Sequence, residues 1–201
     1  MLKLLLATNN LGKVKEYHAL LQQLPVELVT PQDINIIIDV AETGTTYAEN
    51  ARLKALALAK ISRLVSLADD SGLEVDALNY EPGIRSSRYA GDGASDQDRV
   101  KYLLRKLESV PLDKRTAHFI CVIAIATPEG KVETCTGECT GLITFEPRGN
   151  RGFGYDPVFL LPEFGKTMAE LPLSLKNVIS HRYKAALQVP DILRKLSLIK
   201  P

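Results

Sequence analysis

The chain has 201 residues, is 45% hydrophobic and 24% charged, and carries a net charge of +1. That length supports one sizeable core, or two lobes sharing a groove, and the balanced charge excludes a broad polybasic surface for nucleic acid or anionic lipid, leaving room only for a local basic groove. No apolar run approaches the ~20 residues of a membrane span, and Met1 to Ala7 is too short for a signal h-region, so the protein is expected in the cytosol, away from membranes.

Leu2 to Ala7 predicts a buried strand, and Thr8 to Gly12 a turn. Lys13 to Leu24 predicts a helix with Val14, Tyr17, Leu20, Leu21 and Leu24 on one stripe, ended by Pro25. Glu27 to Val29 and Ile36 to Ile38 read as second and third strands, the opening of an α/β layer architecture. Thr46 caps a helix from Tyr47 to about Ile61, with Glu49 completing a capping box. The many apolar positions of that helix predict burial on most sides, which makes Lys54 an awkward cation there.

Leu64 to Gly72 is an apolar run that ends in Asp69, Asp70, Ser71 and Gly72. The reading is a strand with two adjacent carboxylates at its end. A solvated turn explains them; so does a ligand site, because ligands of α/β proteins bind at the carboxyl ends of strands. Tyr80 to Ser95 reads as a long loop carrying Pro82, Gly83, Arg85, Arg88, Tyr89, Gly91 and Gly93. Ser95 then caps a helix to Leu107, with Asp98 in its first turn. Thr116 to Thr127 and Val132 to Phe145 read as an antiparallel hairpin, which means either a mixed sheet or a second lobe. Arg148 to Asp156 is punctuated by Gly149, Gly152 and Gly154. A short strand at Val158 to Leu161 and a helical piece at Met168 to Leu171 follow. The helix from His181 to about Leu196 should be kinked or split by Pro190. Cys121, Cys135 and Cys139 are odd in number and lack further ligands in register, which favours reduced strand residues over a disulfide framework or a metal site.

Thr8, Asn9, Asn10 and Lys13 place a hydroxyl, two amides and a cation at a strand-to-helix junction. First-turn N–H groups and the helix dipole make such a junction an anion site. An Asn-rich turn with a solvated lysine fits the same residues equally well. The phosphate-binding Gly-x4-Gly-Lys-Ser/Thr frame is absent.

Six segments in order carry a resemblance: Thr8 to Glu16; Glu42 to Gly44 with Glu49 to Ala51; Ala68 to Leu73; Pro82-Gly83 with Ser87 to Tyr89; Gly152 to Pro157; and Ile179 to Arg182. The series resembles the inosine triphosphate pyrophosphatase family and runs through nearly the whole chain. The resemblance implies a single domain over residues 1–201, an α/β fold with a mixed twisted sheet, flanking helices and two lobes around a central nucleotide-binding cleft. It implies Mg²⁺-dependent hydrolysis of ITP, dITP and XTP to the monophosphate and diphosphate, by a homodimer. By the same resemblance, Glu42 and Asp70 are the Mg²⁺ ligands, Asp70 is the general base, and Asp69 either tunes it or holds a metal-bound water. Thr8, Asn9, Asn10, Lys13 and Lys54 hold the triphosphate, and Ser71 is a further substrate contact. Phe153, Gly154, Tyr155, Asp156, Lys176, His181 and Arg182 form the base pocket. These roles make physical sense, because phosphoryl chemistry needs chiefly positioning and charge, and cationic donors favour a 6-oxo over a 6-amino base. Pro172 to Leu175 departs from the family pattern just before Lys176. Two rivals remain: a Maf-type pyrophosphatase for modified pyrimidine nucleotides, against which Phe153 to Asp156 and Ser180 to Arg182 speak, and a nucleotide sensor without turnover.

Overall fold

The structure, a computed structural model, describes residues 1–38 and 40–200. Seven strands form one mixed sheet in the order β2-β1-β3-β4-β5-β6-β7. The strands are β1 (Leu2–Leu6), β2 (Val26–Val29), β3 (Val65–Val75), β4 (Thr116–Ala126), β5 (Val132–Ile143), β6 (Phe159–Leu161) and β7 (Lys166–Thr167). β1 runs parallel to both β2 and β3, with Leu4 opposite Leu28 and Val65. Parallel neighbours need crossovers. Helix α1 (Leu11–Leu20) connects β1 to β2, and α2 (Tyr47–Ser62) lies between β2 and β3. β4 and β5 are sheet neighbours joined by a tight turn in which the Thr127 N–H donates to Lys131 O at 2.9 Å, so they run antiparallel. β6 pairs antiparallel with β5 and β7.

The predicted caps at Thr46 and Ser95 are present. Asn10, read from the sequence as part of a turn, also caps a helix: its side chain accepts from the Lys13 N–H at 3.1 Å and α1 starts two residues earlier than the apolar pattern suggested. Thr46 and Glu49 form the capping box of α2, and Ser95 and Asp98 that of α3 (Asp96–Lys106). Such caps contribute about 1 kcal/mol each. The last helix is split into α5 (His181–Ala186) and α6 (Val189–Lys195), with Pro190 in the first turn of α6, where its missing N–H costs nothing.

Several expectations are corrected. Ile36 to Ile38 form no strand, and Ile37 is fully exposed, so no neighbouring strand rewards its β propensity. α2 buries one stripe, Asn50, Ala51, Ala55, Leu58 and Ala59, and leaves Leu53 and Ile61 exposed. The segment after Tyr80 contains a 3₁₀ helix, Gly83–Arg88, closed by the Ser86 hydroxyl donating to Gly83 O at 2.6 Å. Helix α4 (Leu173–Ile179) escapes a cap-based reading because Pro172 stands at its N-cap without a side-chain bond. Most consequentially, β3 does not end at its acids; it continues through Asp69 and Asp70 to Val75, and both carboxylates are buried.

The chain divides into two compact units. The first comprises Met1–Asp70, Cys121–Gly137 and Arg182–Pro201. Its core packs Leu4, Leu6, Leu67, Ile123 and Ile125 of the sheet with Tyr17 of α1, Leu21 at the C-cap of α1, and Val189 and Leu193 of α6. The second comprises Ser71–Ile120 and Glu138–His181. Its core joins Leu73, Val75, Phe119, Ile143 and Phe159 to Val100 and Leu103 of α3 and to Leu107 at its C-cap. All three cysteines are buried and reduced.

Candidate active site

Side chains alternate along a strand, so Asp69 and Asp70 leave β3 on opposite faces. That alternation resolves the repulsion that adjacent carboxylates would otherwise suffer, because each acid meets its own set of partners.

Asp69 faces α1 and α5. Its Oδ1 lies 2.9 Å from Lys13 Nζ, and its Oδ2 accepts from Arg182 Nη2 at 3.0 Å and Nε at 3.3 Å. Arg182 Nη1 donates to Glu16 Oε2 at 2.6 Å. Burial alone would raise the Asp69 pKa, but Lys13 and Arg182 outweigh it and hold the carboxyl well below its usual range. Burial would likewise lower the Arg182 pKa, yet Asp69 and Glu16 raise it further still.

Asp70 faces α2. Asn50 Nδ2 donates to its Oδ2 at 3.2 Å, and Lys54 Nζ lies 3.5 Å from its Oδ1. The same ammonium donates to Glu42 Oε1 at 2.8 Å. Asn50 and Lys54 stand four residues apart on α2 and therefore share a face. Burial raises the Asp70 pKa, Lys54 offsets part of that, and Glu42 adds to it. Two neighbouring carboxyls are thus driven in opposite directions, the pattern that separates a fixed anion from a proton acceptor. Lys54 stays protonated: the pull of Asp70 and Asp69 exceeds the cost of its burial.

Glu42 and Asp70 converge on one cation, so their oxygens share a locus of ionic size. Among the described residues no group of three or more His, Cys, Asp or Glu is arranged to hold a metal. Glu42 and Asp70 are hard oxygen donors that could hold Mg²⁺, an ion that binds through one or two carboxylates and otherwise keeps waters and takes phosphate oxygens. Thr8 and Asn10 lie at the β1–α1 junction, where the Thr8 hydroxyl accepts from the Asn10 N–H at 3.2 Å, and Asn9 is exposed beside them. Ser71 follows Asp70 on β3 and is half-buried.

The remaining predicted residues, Arg182 excepted, belong to the second unit. Lys176 Nζ lies 2.5 Å from Asp156 Oδ2 and 5.1 Å from the centre of the Phe153 ring. The Phe153 N–H donates to Asp156 Oδ2 at 3.0 Å. Tyr155 is buried in the core, and its hydroxyl donates to Ser86 O at 2.9 Å. His181 stacks on Phe119, with ring centres 4.8 Å apart. Gly154 donates its N–H to Asp96. Arg182 pairs with Asp69 and Glu16.

Sequence reasoning gave no role to Glu16, Asn50 or Asp96. Helix spacing offered a signal for the first two: Glu16 lies three residues past Lys13, and Asn50 four before Lys54. For Asp96 there was none.

Gly152 sits at φ +77°, where a Cβ would fall 2.0 Å from Asp156 Oδ2 and 3.1 Å from Lys176 Nζ. Gly152→Ala should therefore displace the Asp156–Lys176 pair, and nucleotide binding should weaken at least tenfold in a calorimetric titration.

The mixed sheet thus carries a buried acid pair beside lysines, and the glycine-rich loop carries an aromatic–lysine cluster; the protein class, a nucleotide hydrolase, comes from its relatives. The Ham1 family profile matches residues 4–192, and the chain belongs to that family. It is 49% identical to the dITP/XTP pyrophosphatase of Desulforamulus reducens over 195 residues, 97% of each chain. It is also 49% identical to the dITP/XTP pyrophosphatase of Geobacter sulfurreducens, over 95% of this chain and 96% of that one. Among solved structures it resembles a HAM1 protein from Coxiella burnetii at TM-score 0.87 and 42% identity, covering 97% of this chain and all of that one. The Staphylococcus aureus Ham1 protein follows at TM-score 0.85 and 39% identity, covering 96% and 99%.

Proposed function

We propose that the chain is a dITP/XTP pyrophosphatase that hydrolyses ITP, dITP and XTP to the nucleoside monophosphate and diphosphate. The observation that carries this reading is the split environment of β3: Asp69 is paired with Lys13 and Arg182, while Asp70 meets Asn50 and Lys54, whose ammonium also holds Glu42. Water attacks at the α–β anhydride, the bridging P–O bond breaks so that diphosphate leaves the nucleoside monophosphate, and Asp70 takes the proton of the water. Lys13 and Lys54 supply positive charge to the triphosphate, and Thr8, Asn9 and Asn10 hold it at the start of α1. Glu42 and Asp70 would hold Mg²⁺, which when bound neutralises charge on the separating phosphates. Ser71 is a further substrate contact.

Phe153 stacks on the purine, and Gly154, Tyr155 and Asp156 shape the loop that carries it. Lys176 presents a cationic donor beside the ring, held by Asp156, and His181 adds a second nitrogen donor. Such donors pair with the 6-oxo group of hypoxanthine or xanthine and find no acceptor on the 6-amino group of adenine. Arg182 is assigned to the Asp69 side, where its guanidinium is committed. The family resemblance supports a cytosolic homodimer. Among the described residues no helix is long and apolar enough to cross a membrane.

The test is diphosphate release from ITP, dITP, XTP, ATP, GTP, CTP and UTP, with Mg²⁺ or with EDTA. Selective, Mg²⁺-dependent turnover of the first three is expected. Preference for pyrimidine nucleotides, or tight binding without release, would overturn the reading.

A further inference from the structure

The glycine-rich loop is tied down by a residue outside every assigned role. The Gly154 N–H donates to Asp96 Oδ2 at 2.7 Å. Asp96 is the first residue of α3, and its Oδ1 accepts from Arg99. Arg99 also donates to Ser87 O at 3.0 Å and to Ala94 O. One carboxylate and one guanidinium thus join the 3₁₀ helix Gly83–Arg88, the start of α3 and the loop.

The need for such a tie follows from the loop's backbone. Gly152 and Gly154, on either side of Phe153, have φ +77° and +62°. Glycines in that region have many alternative conformations and lose the most freedom when fixed. At Gly154 a Cβ would meet nothing within 4 Å, so packing does not restrain it. A hydrogen bond to an ionised acceptor is about twice as strong as a neutral one, and here it falls on the peptide next to Phe153.

We propose that Asp96 is a positioning residue that fixes the glycine-rich loop so that the Phe153 ring is already set for the purine base. This rests on the assignment of Phe153 to the base. Without Asp96 the loop must be ordered at each binding event, so KM rises, while the proton transfer at Asp70 is untouched and kcat is kept.

The experiment pairs steady-state turnover of ITP with hydrogen–deuterium exchange of the nucleotide-free full chain. Asp96→Ala should fold, since the capping box uses Ser95 and Asp98 and the Asp96 side chain is 44% exposed. It should raise KM roughly tenfold and leave kcat within about twofold. Exchange in residues 148–157 should quicken while β3 to β5 stay protected. Asp96→Asn keeps an acceptor oxygen and should recover most of the KM; Asp96→Ser, which cannot reach Gly154, should not, and serves if the alanine variant fails to fold. An unchanged KM, a fall in kcat that matches the rise in KM, or loop exchange equal to the unaltered protein would overturn the proposal. If the unaltered protein does not turn over ITP, the functional reading fails. The exchange data then still decide whether Asp96 holds the loop.

Discussion

Asp70→Asn should lower kcat by about 10²–10⁴-fold without lowering the melting temperature. The two halves of that result have one cause. Burial raises the Asp70 pKa, so the fold disfavours the ionised carboxylate that the chemistry requires. At neutral pH that group costs stability, and an uncharged isostere removes the cost. Asn50 Nδ2 can still donate to the remaining oxygen, and Lys54 keeps Glu42. A melting temperature equal to or above the parent's, with turnover lost, is the expected pair of readings. Near-parental kcat would remove Asp70 from the base role. Loss of both activity and stability would mean that Asp70 is needed to balance Lys54.

Arg182→Ala should produce the opposite pattern, a large loss of stability. The Arg182 side chain is 1% exposed, and its partners Glu16 and Asp69 are 5% and 0% exposed. Removing one member of a buried ion set leaves the others uncompensated, at a cost of about 3–5 kcal/mol. For a chain of this size that corresponds to a fall of roughly 10 °C in melting temperature. Arg182→Lys should rescue little, because one ammonium cannot reach both carboxylates as the guanidinium fork does. The pH dependence has a definite sign. The folded-state pKa of Asp69 is depressed, so its contribution to stability is present above the ordinary carboxylate range and is lost as pH falls below it. Arg182→Ala should therefore unfold in acid at higher pH than the parent. Parental stability at pH 7 and in acid would show that Glu16 and Asp69 need no guanidinium.

The parts that were legible in the chain were local. Thr46 and Ser95 announced their helices because a cap bonds within three residues. Pro190 announced a break because it lacks an N–H. The position of the acids within β3 was not legible. An apolar run that meets two carboxylates reads as ended unless their partners are known, and those partners lie far along the chain. Lys13 is 56 residues from Asp69, and Arg182 is 113. Once both are in place, charge can continue a strand interior. The same distance hid the commitment of Arg182, which its neighbour His181 does not share. Ile36 to Ile38 failed for the complementary reason: propensity alone places no strand where nothing pairs with it.

The most direct test of the account is the identity of the products formed from ITP in the presence of Mg²⁺, separated by ion-exchange chromatography. Inosine monophosphate and inorganic diphosphate in equal amounts, with no orthophosphate and no inosine diphosphate, are predicted. Inosine diphosphate and orthophosphate would contradict the account, because they would place the water at the terminal anhydride and not at the α–β anhydride.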